Sequence, residues 1–458
     1  MRSDESGLGR CDSKTSSGIF SRFSIPAGVV NNLFAMYGIY CSNYLLALVT
    51  VPYLARRLGP AAWGTLAAVQ SFGGILLLGV EFGFAYSGTR DAARVRESRE
   101  SLRGIVSSVM GAKFLLSLLA CLIAFIVGWS LPMFRENPGT FWWGVAWGVF
   151  QGGNLMWFFQ AIEQMRLVAI LDLSVRGLAV AATFWFVRGP GDAWLALAFQ
   201  AGASILSLGL SIALVRQVAG ISIPTLREAW LAVCGGTATF VPRNASVLYN
   251  IGNTFLLGFF AKPEIVGFFG GADRICRAIV GLLAPASEAV YPRITNVATS
   301  SRTRALRLAR LSAAIMIAAG IVMGAALYLL APRCVRLVLG RGYGAAVNPL
   351  RILCALLPLV AFRNVIAIHW MLPLDMESEL NKVMLVCGAI NIALALIVAP
   401  HFGAVGMAWV TDASAFCASF GAWLVLRWKH LDLFGSDAGK SAAAHEPMIS
   451  YSPRAVAK

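Results

Sequence analysis

Charged side chains are scarce in this sequence. Asp, Glu, Lys and Arg supply 13% of its 458 residues, about half the share usual in soluble proteins. So small a polar supply cannot clothe the three or so soluble domains that this length would otherwise allow. A soluble enzyme and a disordered scaffold are both excluded. Clustered metal ligands are lacking as well: the nine cysteines include no Cys-x-x-Cys pair, and the four histidines are scattered. Cys41, Cys121, Cys234, Cys276, Cys354, Cys387 and Cys417 lie in apolar segments and read as small hydrophobes, not as a zinc or disulfide framework. There is no Gly-rich phosphate loop, no catalytic-triad spacing, and no polar stretch long enough for a separate catalytic domain. No cofactor is expected, and no enzymatic activity.

What the chain has in quantity is apolar sequence, 58% of it. Segments of about 20 apolar residues span a bilayer as helices. Twelve occur, near 29–53, 62–89, 105–131, 141–162, 168–187, 193–215, 231–260, 265–292, 308–331, 349–373, 381–400 and 404–428. The expected fold is an all-α membrane protein of about twelve transmembrane helices. Residues 1–26 and 431–458 read as disordered tails, the first having no apolar core of a signal peptide.

The formal charge of +16 reports topology and not a nucleic-acid partner, because basic residues of membrane proteins gather in cytoplasmic loops. Counted with the segment-end residues Arg310, Lys382 and Arg427, the two termini and the loops after even-numbered segments hold 23 of the 38 Lys and Arg, and with Arg351 the loops after odd-numbered segments hold nine. Both termini are therefore expected in the cytoplasm. The densest basic loops are Arg90, Arg94, Arg96, Arg99 and Arg103, then Arg293, Arg302, Arg304, Arg307 and Arg310. At an offset of 203 residues Pro60 matches Pro263, Gly64 matches Gly267, Arg90 matches Arg293 and Arg99 matches Arg302. Such an offset predicts a parallel repeat of two six-helix halves, an N-terminal lobe over 27–217 and a C-terminal lobe over 228–430.

The sharpest functional signal is the charge inside the segments: Glu81, Lys113, Asp172, Arg176, Arg243, Asp273, Arg274, Arg277, Glu288, Arg363 and Asp412. At mid-membrane each costs about 2.5–3.5 kcal/mol or more, so most must face protein or water. Asp172 with Arg176, and Asp273 with Arg277, stand four apart and can pair along one helix face. Lys113 and Glu288 lie near segment ends and could snorkel. Arg243, Arg274 and Arg363 lack an acid at helical pairing distance and lie nearer the segment middles. Basic residues outnumber acidic ones and are more central, which points to an anion site. Arginine suits phosphate oxygens, which its planar fork binds in pairs without losing its proton. Trp142 and Trp143 fit an interfacial belt, Gly144 and Gly148 a helix contact. Trp157 and Phe158 could serve a belt or stack on a sugar.

Several runs resemble bacterial polysaccharide repeat-unit flippases. They are Pro52-Tyr53-Leu54-Ala55-Arg56-Arg57-Leu58-Gly59-Pro60 with Trp63-Gly64, Glu81-Phe82-Gly83-Phe84 ahead of Arg90-Asp91, and the Trp157, Gln160, Glu163 spacing. Val266-Gly267-Phe268-Phe269 leading to Tyr291-Pro292-Arg293, and Gly403-Ala404-Val405-Gly406-Met407-Ala408, continue the likeness in order over about residues 29–428.

This resemblance implies the multidrug/oligosaccharidyl-lipid/polysaccharide exporter superfamily: two pseudo-symmetric six-helix lobes around a central cavity, working by alternating access. It implies transfer of undecaprenyl-pyrophosphate-linked oligosaccharides across the bacterial inner membrane for exopolysaccharide or O-antigen synthesis. The expected partners are that lipid-linked oligosaccharide, membrane lipids, a polysaccharide polymerase and a chain-length regulator. The expected cationic cavity holds Arg243, Arg274, Arg277 and Arg363, with Arg176 secondary. Candidates for ion coupling are Asp273, Glu288, Glu81 and Asp412. The chain departs from the family at helix 7, where Asn250 and Asn253 stand in place of a frequent acid. A multidrug exporter of the same superfamily and a membrane polysaccharide polymerase or ligase are the alternatives. The central arginines disfavour the first, and short odd-numbered loops disfavour the second.

Overall fold

The computed structural model describes residues 27–283, 287, 302–374 and 376–429, with side chains for all of these except 27–45, 47, 238, 239, 241–250 and 302–305. The tails expected at 1–26 and 431–458 lie outside the described residues, as does Glu288. Among those described there is no strand.

The N-terminal lobe comprises α1 (Ala27–Glu81), α2 (Phe84–Arg94), α3 (Arg99–Ser130), α4 (Pro132–Glu136), α5 (Pro138–Gly152), α6 (Met156–Ala161), α7 (Met165–Phe186) and α8 (Ala193–Val218). The C-terminal lobe comprises α9 (Leu226–Leu257), α10 (Pro263–Val280), α11 (Arg302–Val338), α12 (Val347–Leu353), α13 (Leu356–Asn364) and α14 (Glu377–Trp428). At 1.5 Å per residue, α1 would run roughly 80 Å if straight, more than twice the hydrocarbon thickness. It does not run straight, for at Gly59 the backbone turns to φ 73° and Pro60 opens a second helix. The 52-residue α14 is broken likewise at Gly403, φ 52°. Each is thus two crossings, and segments 4 and 10 are each one crossing built of shorter helices. The chain is an all-α membrane protein of twelve crossings in two six-helix lobes.

Local chemistry sets many of the helix ends. Proline sits in the first turn of α4, α5 and α10, where its missing N–H is no loss. Thr225 and Glu228 form a reciprocal capping box at the start of α9. Glu81 ends α1 and caps α2, accepting from Gly83 N at 3.0 Å and Ala85 N at 2.7 Å. The run Glu81-Phe82-Gly83 is therefore a helix break with two residues at positive φ.

The apolar core is divided unequally. On the side of the odd-numbered loops one cluster runs through both lobes, joining Leu54, Trp63 and Leu197 to Phe269, Leu339 and Met407. On the side of the even-numbered loops there are separate cores: one around Phe84, Trp157, Phe158 and Val215, reached by the start of α9, another around Leu306, Ile366, Trp370 and Leu426. The lobes are thus fused at one membrane face, and toward the other they still meet through the first half of α9, where Phe240 stacks on Phe82 with ring centroids 4.4 Å apart.

The fused end is where the 203-residue offset becomes visible. A Cβ on Gly64 would lie 1.8 Å from the Pro263 carbonyl oxygen, and one on Gly267 would lie 2.2 Å from that of Pro60. Farther along, a Cβ on Gly270 would meet Ala67 Cβ at 3.2 Å. Each residue touches its own counterpart or that counterpart's turn, as in an isologous contact about a two-fold axis. Only glycine allows the second half of α1 and α10 to cross this closely.

Candidate functional site

A cavity of about 500 Å³ lies between the lobes, walled by α1, α5, α7, α8, α9 and α10. Arg176, Arg274 and Arg277 line it together. Arg274 stands roughly 18 Å along α10 from its Lys262 end, and Gln70 roughly 16 Å past the Gly59 break. With a hydrocarbon core about 30 Å thick, both sit near mid-depth.

Two of these arginines are held by the carboxylates four residues before them. Arg277 Nε donates to Asp273 Oδ2 at 2.7 Å. Arg176 Nε lies 2.8 Å from Asp172 Oδ2, and Asp172 Oδ1 accepts from Ser207 Oγ at 2.7 Å. Asp172 is buried whereas both guanidinium groups are about one-third exposed, so each acid anchors a cation that still reaches open space. Arg274 is held differently. Its guanidinium carbon lies 4.5 Å from the Trp63 ring centroid, and its Nη2 donates to Gln70 Oε1. Cation–π contact and a fork with five donors suit this position to arginine and not lysine. Among the described residues the cavity-facing acids and bases are one carboxylate, Asp273, against three guanidinium groups, with Asp172 buried behind.

A model of the polysaccharide biosynthesis protein family matches residues 29–298, more than half of the chain. The chain belongs to that family. Two curated relatives are each named "Putative O-antigen transporter". The one from Escherichia coli (strain K12) is 29% identical over 372 residues, covering 80% of this chain and 89% of the relative. The one from Shigella dysenteriae is 26% identical over 389 residues, covering 82% and 94%. Among solved structures, the lipid II flippase MurJ in an inward closed conformation has a TM-score of 0.68 at 15% identity, over 87% of each chain. An inward-facing multidrug resistance MATE family transporter of the MOP superfamily has a TM-score of 0.65 at 15% identity, over 92% of this chain and 99% of that one. These structural likenesses establish the fold.

Not every expected site residue of this family member reaches the cavity. Arg243 lies on α9, but its side chain is outside the described residues. Arg363 is half-buried on α13 and does not line the cavity. Glu81 is engaged as the cap of α2, and Asp273 is paired with Arg277. Asp412 is 5% exposed on α14, away from the cavity lining. Neither of its oxygens has a hydrogen-bond partner among the described residues.

Two readings of single residues are corrected. Lys113 does not snorkel: it is buried and donates to the carbonyls of Gly152 and Asn154 at 2.9 and 2.8 Å. It closes the orphan end of α5 where the crossing breaks. Trp157 and Phe158 neither form a belt nor face a sugar, being packed in the N-terminal lobe core with Trp157 against Gly88.

Sequence reasoning missed the neutral wall. Gln70, Gln151, Gln200 and Ser204, on α1, α5 and α8, line the same cavity. Charge inside the segments does not reveal it, whereas an amide at the middle of an apolar segment is a usable signal.

Proposed function

We propose that this protein carries undecaprenyl-pyrophosphate-linked oligosaccharide repeat units from the cytoplasmic to the periplasmic leaflet of the bacterial inner membrane, for exopolysaccharide or O-antigen assembly. The observation that carries this reading is the convergence of Arg176, Arg274 and Arg277 on one mid-depth cavity. The family and the names of the two relatives supply the polysaccharide context. A pyrophosphate is too polar for lipid, and guanidinium groups on a protein wall replace its water with paired hydrogen bonds. An inside-negative potential drives each negative charge outward with about 2.3 kcal/mol per 100 mV.

Transport proceeds by alternating access in this reading. With the even-numbered loops and both termini cytoplasmic, the fused core and the Gly64–Gly267 crossing shut the periplasmic mouth, and parting the first half of α9 from α2 and α3 would open the cytoplasmic side to the lipid. Rocking the lobes about this crossing would reverse the two. Ion coupling, if the potential alone does not suffice, falls to Asp412. Beside it, Asn253 donates to Thr411 Oγ1 and Asn391 to Ser414 Oγ, each at 2.9 Å, leaving both amide oxygens unpartnered among the described residues. A buried carboxylate without a hydrogen-bond partner among the described residues calls for a proton or a small cation. The delivered repeat unit would pass to a polymerase and its chain-length regulator.

The test is a lipid extract from cells lacking the protein. Complete repeat units on polyprenyl pyrophosphate should accumulate in the cytoplasmic leaflet. Accumulation on the periplasmic side would instead indicate a polymerase or ligase. No accumulation, with greater drug sensitivity, would indicate an exporter.

A further inference from the structure

The neutral wall carries a directional hydrogen-bond relay. A guanidinium has donors and no acceptor, so the Gln70 oxygen must face Arg274. The Gln70 amide nitrogen is then turned toward Gln200, and it donates to Gln200 Oε1 at 3.1 Å. Gln200 in turn has its oxygen occupied and its NH₂ left over, with no partner for that group among the described residues. The orientation of both amides thus follows from the chemistry of Arg274, where an isolated amide could sit either way round. The relay crosses from α10 through α1 to α8, and all three residues line the same cavity.

At Gln200 this wall offers an amide donor, and its charge is neutralised. Among the described residues Arg176, the cation on this side, is paired with Asp172, whereas the α10 side holds Arg274 and Arg277 against the single carboxylate of Asp273. A charged ligand group would settle on the α10 side. A neutral acceptor suits the Gln200 side, because an amide N–H pairs well with a neutral oxygen but cannot balance a buried carboxylate.

The geometry points to Gln200 as a saccharide subsite, with Gln70 as its positioning residue, that selects lipids whose pyrophosphate-linked sugar is neutral and presents a hydroxyl, ring or amide-carbonyl oxygen. This inference rests on the flippase reading and names which sugar sits next to the pyrophosphate. An acidic sugar at that position is disfavoured; acidic sugars farther along the repeat unit are not constrained.

The experiment measures binding to the full-length protein in lipid nanodiscs. The probes are undecaprenyl pyrophosphate, the same lipid bearing one neutral hexose, and the same lipid bearing one hexuronic acid. Wild type should prefer the neutral-sugar lipid to both others. Gln200→Met, which keeps length but removes the donors, should weaken the neutral-sugar probe roughly tenfold, the scale of one or two lost neutral hydrogen bonds. It should leave the sugar-free probe unchanged. Gln70→Leu should reduce the ratio of the two affinities, which a merely structural defect would not alter. If Gln200→Met fails to fold, Gln200→Ser serves, with the same expectation. Equal losses for the sugar-free and neutral-sugar probes, or no loss at all, would overturn the subsite and leave the flippase reading standing. A wild-type preference for the hexuronate probe would do the same. Failure of the wild type to bind any of the three would overturn the flippase reading and the subsite with it.

Discussion

Residues 60–74 and 263–277 are the same stretch of two related lobes, and they have kept different things. Their packing is shared: Pro60 and Pro263 open the helices, and Gly64 and Gly267 cross each other's turns within van der Waals overlap for any larger residue. Their cavity faces are not shared. At the same offset Gln70 stands opposite Asp273 in the repeat, Ser71 opposite Arg274, and Gly74 opposite Arg277. One helix presents neutral groups and its counterpart presents an ion pair and a further cation, so the scaffold is symmetric while the chemistry is one-sided. The lesson is that backbone approach tolerates no side chain at the crossing, whereas a cavity wall can change its charge without changing the fold. A ligand with a charged head and a neutral body fits two such walls.

The largest effect should come from breaking the shared feature. Gly267→Val or Gly64→Val puts atoms where the facing carbonyl oxygen already is. Overpacking of this kind costs about 1–3 kcal/mol or more, so either variant should lose folded protein in a detergent melting assay, and by similar amounts. A harmless result at one position only would deny that the crossing is symmetric. Next comes the unshared feature. Arg274→Ala should reduce surface polysaccharide roughly 30- to 100-fold with the protein still inserted, on the scale of one lost charge-assisted hydrogen bond to the anionic head. Exchanging the pair as Gln70→Arg with Arg274→Gln should restore only part of this, because the stack on Trp63 belongs to α10.

Smaller effects follow away from the axis. Lys113→Met leaves the carbonyls of Gly152 and Asn154 without their donor and should destabilise the N-terminal lobe by about 2 kcal/mol, seen as a lower melting temperature with transport specificity unchanged. The smallest is Gly79→Ala on α1, where no atom lies within 4 Å of the new Cβ. It should stabilise by at most about 1 kcal/mol through helix propensity. A large loss there would mean that close packing extends along α1 well beyond the crossing.

Much of this was legible in sequence because the membrane imposes it. Twelve apolar segments gave twelve crossings, since a continuous apolar run of about 20 residues satisfies its own backbone in lipid as a helix. The Asp172–Arg176 and Asp273–Arg277 pairs followed from spacing alone, as did the contact of Gly148, whose added Cβ would meet Gly73 O at 2.3 Å. Hydropathy did not reveal that Lys113 would turn inward, because a lysine near a segment end can equally reach water, and only the break after Gly152 decides the matter. Nor did it separate Arg363 from Arg274. Both are arginines in apolar segments, and which one meets the cavity depends on helix rotation. Motif residues such as Tyr53 and Trp157 proved to be internal fastenings: the Tyr53 hydroxyl lies 2.8 and 2.6 Å from the carbonyls of Phe184 and Val187 at the end of α7. The neutral amides were passed over because polarity without charge costs little enough to escape notice in an apolar run.

In the proposed cycle the guanidinium groups on α10 carry the anionic head of a lipid across the membrane. The most direct measurement is leaflet-to-leaflet transfer of a labelled undecaprenyl-pyrophosphate oligosaccharide in proteoliposomes containing only the purified protein. Wild type should move the lipid to the opposite leaflet, faster when the potential is negative on the side of departure, and the Arg274→Ala/Arg277→Ala double variant should not. Transfer by the double variant at the wild-type rate would contradict the account.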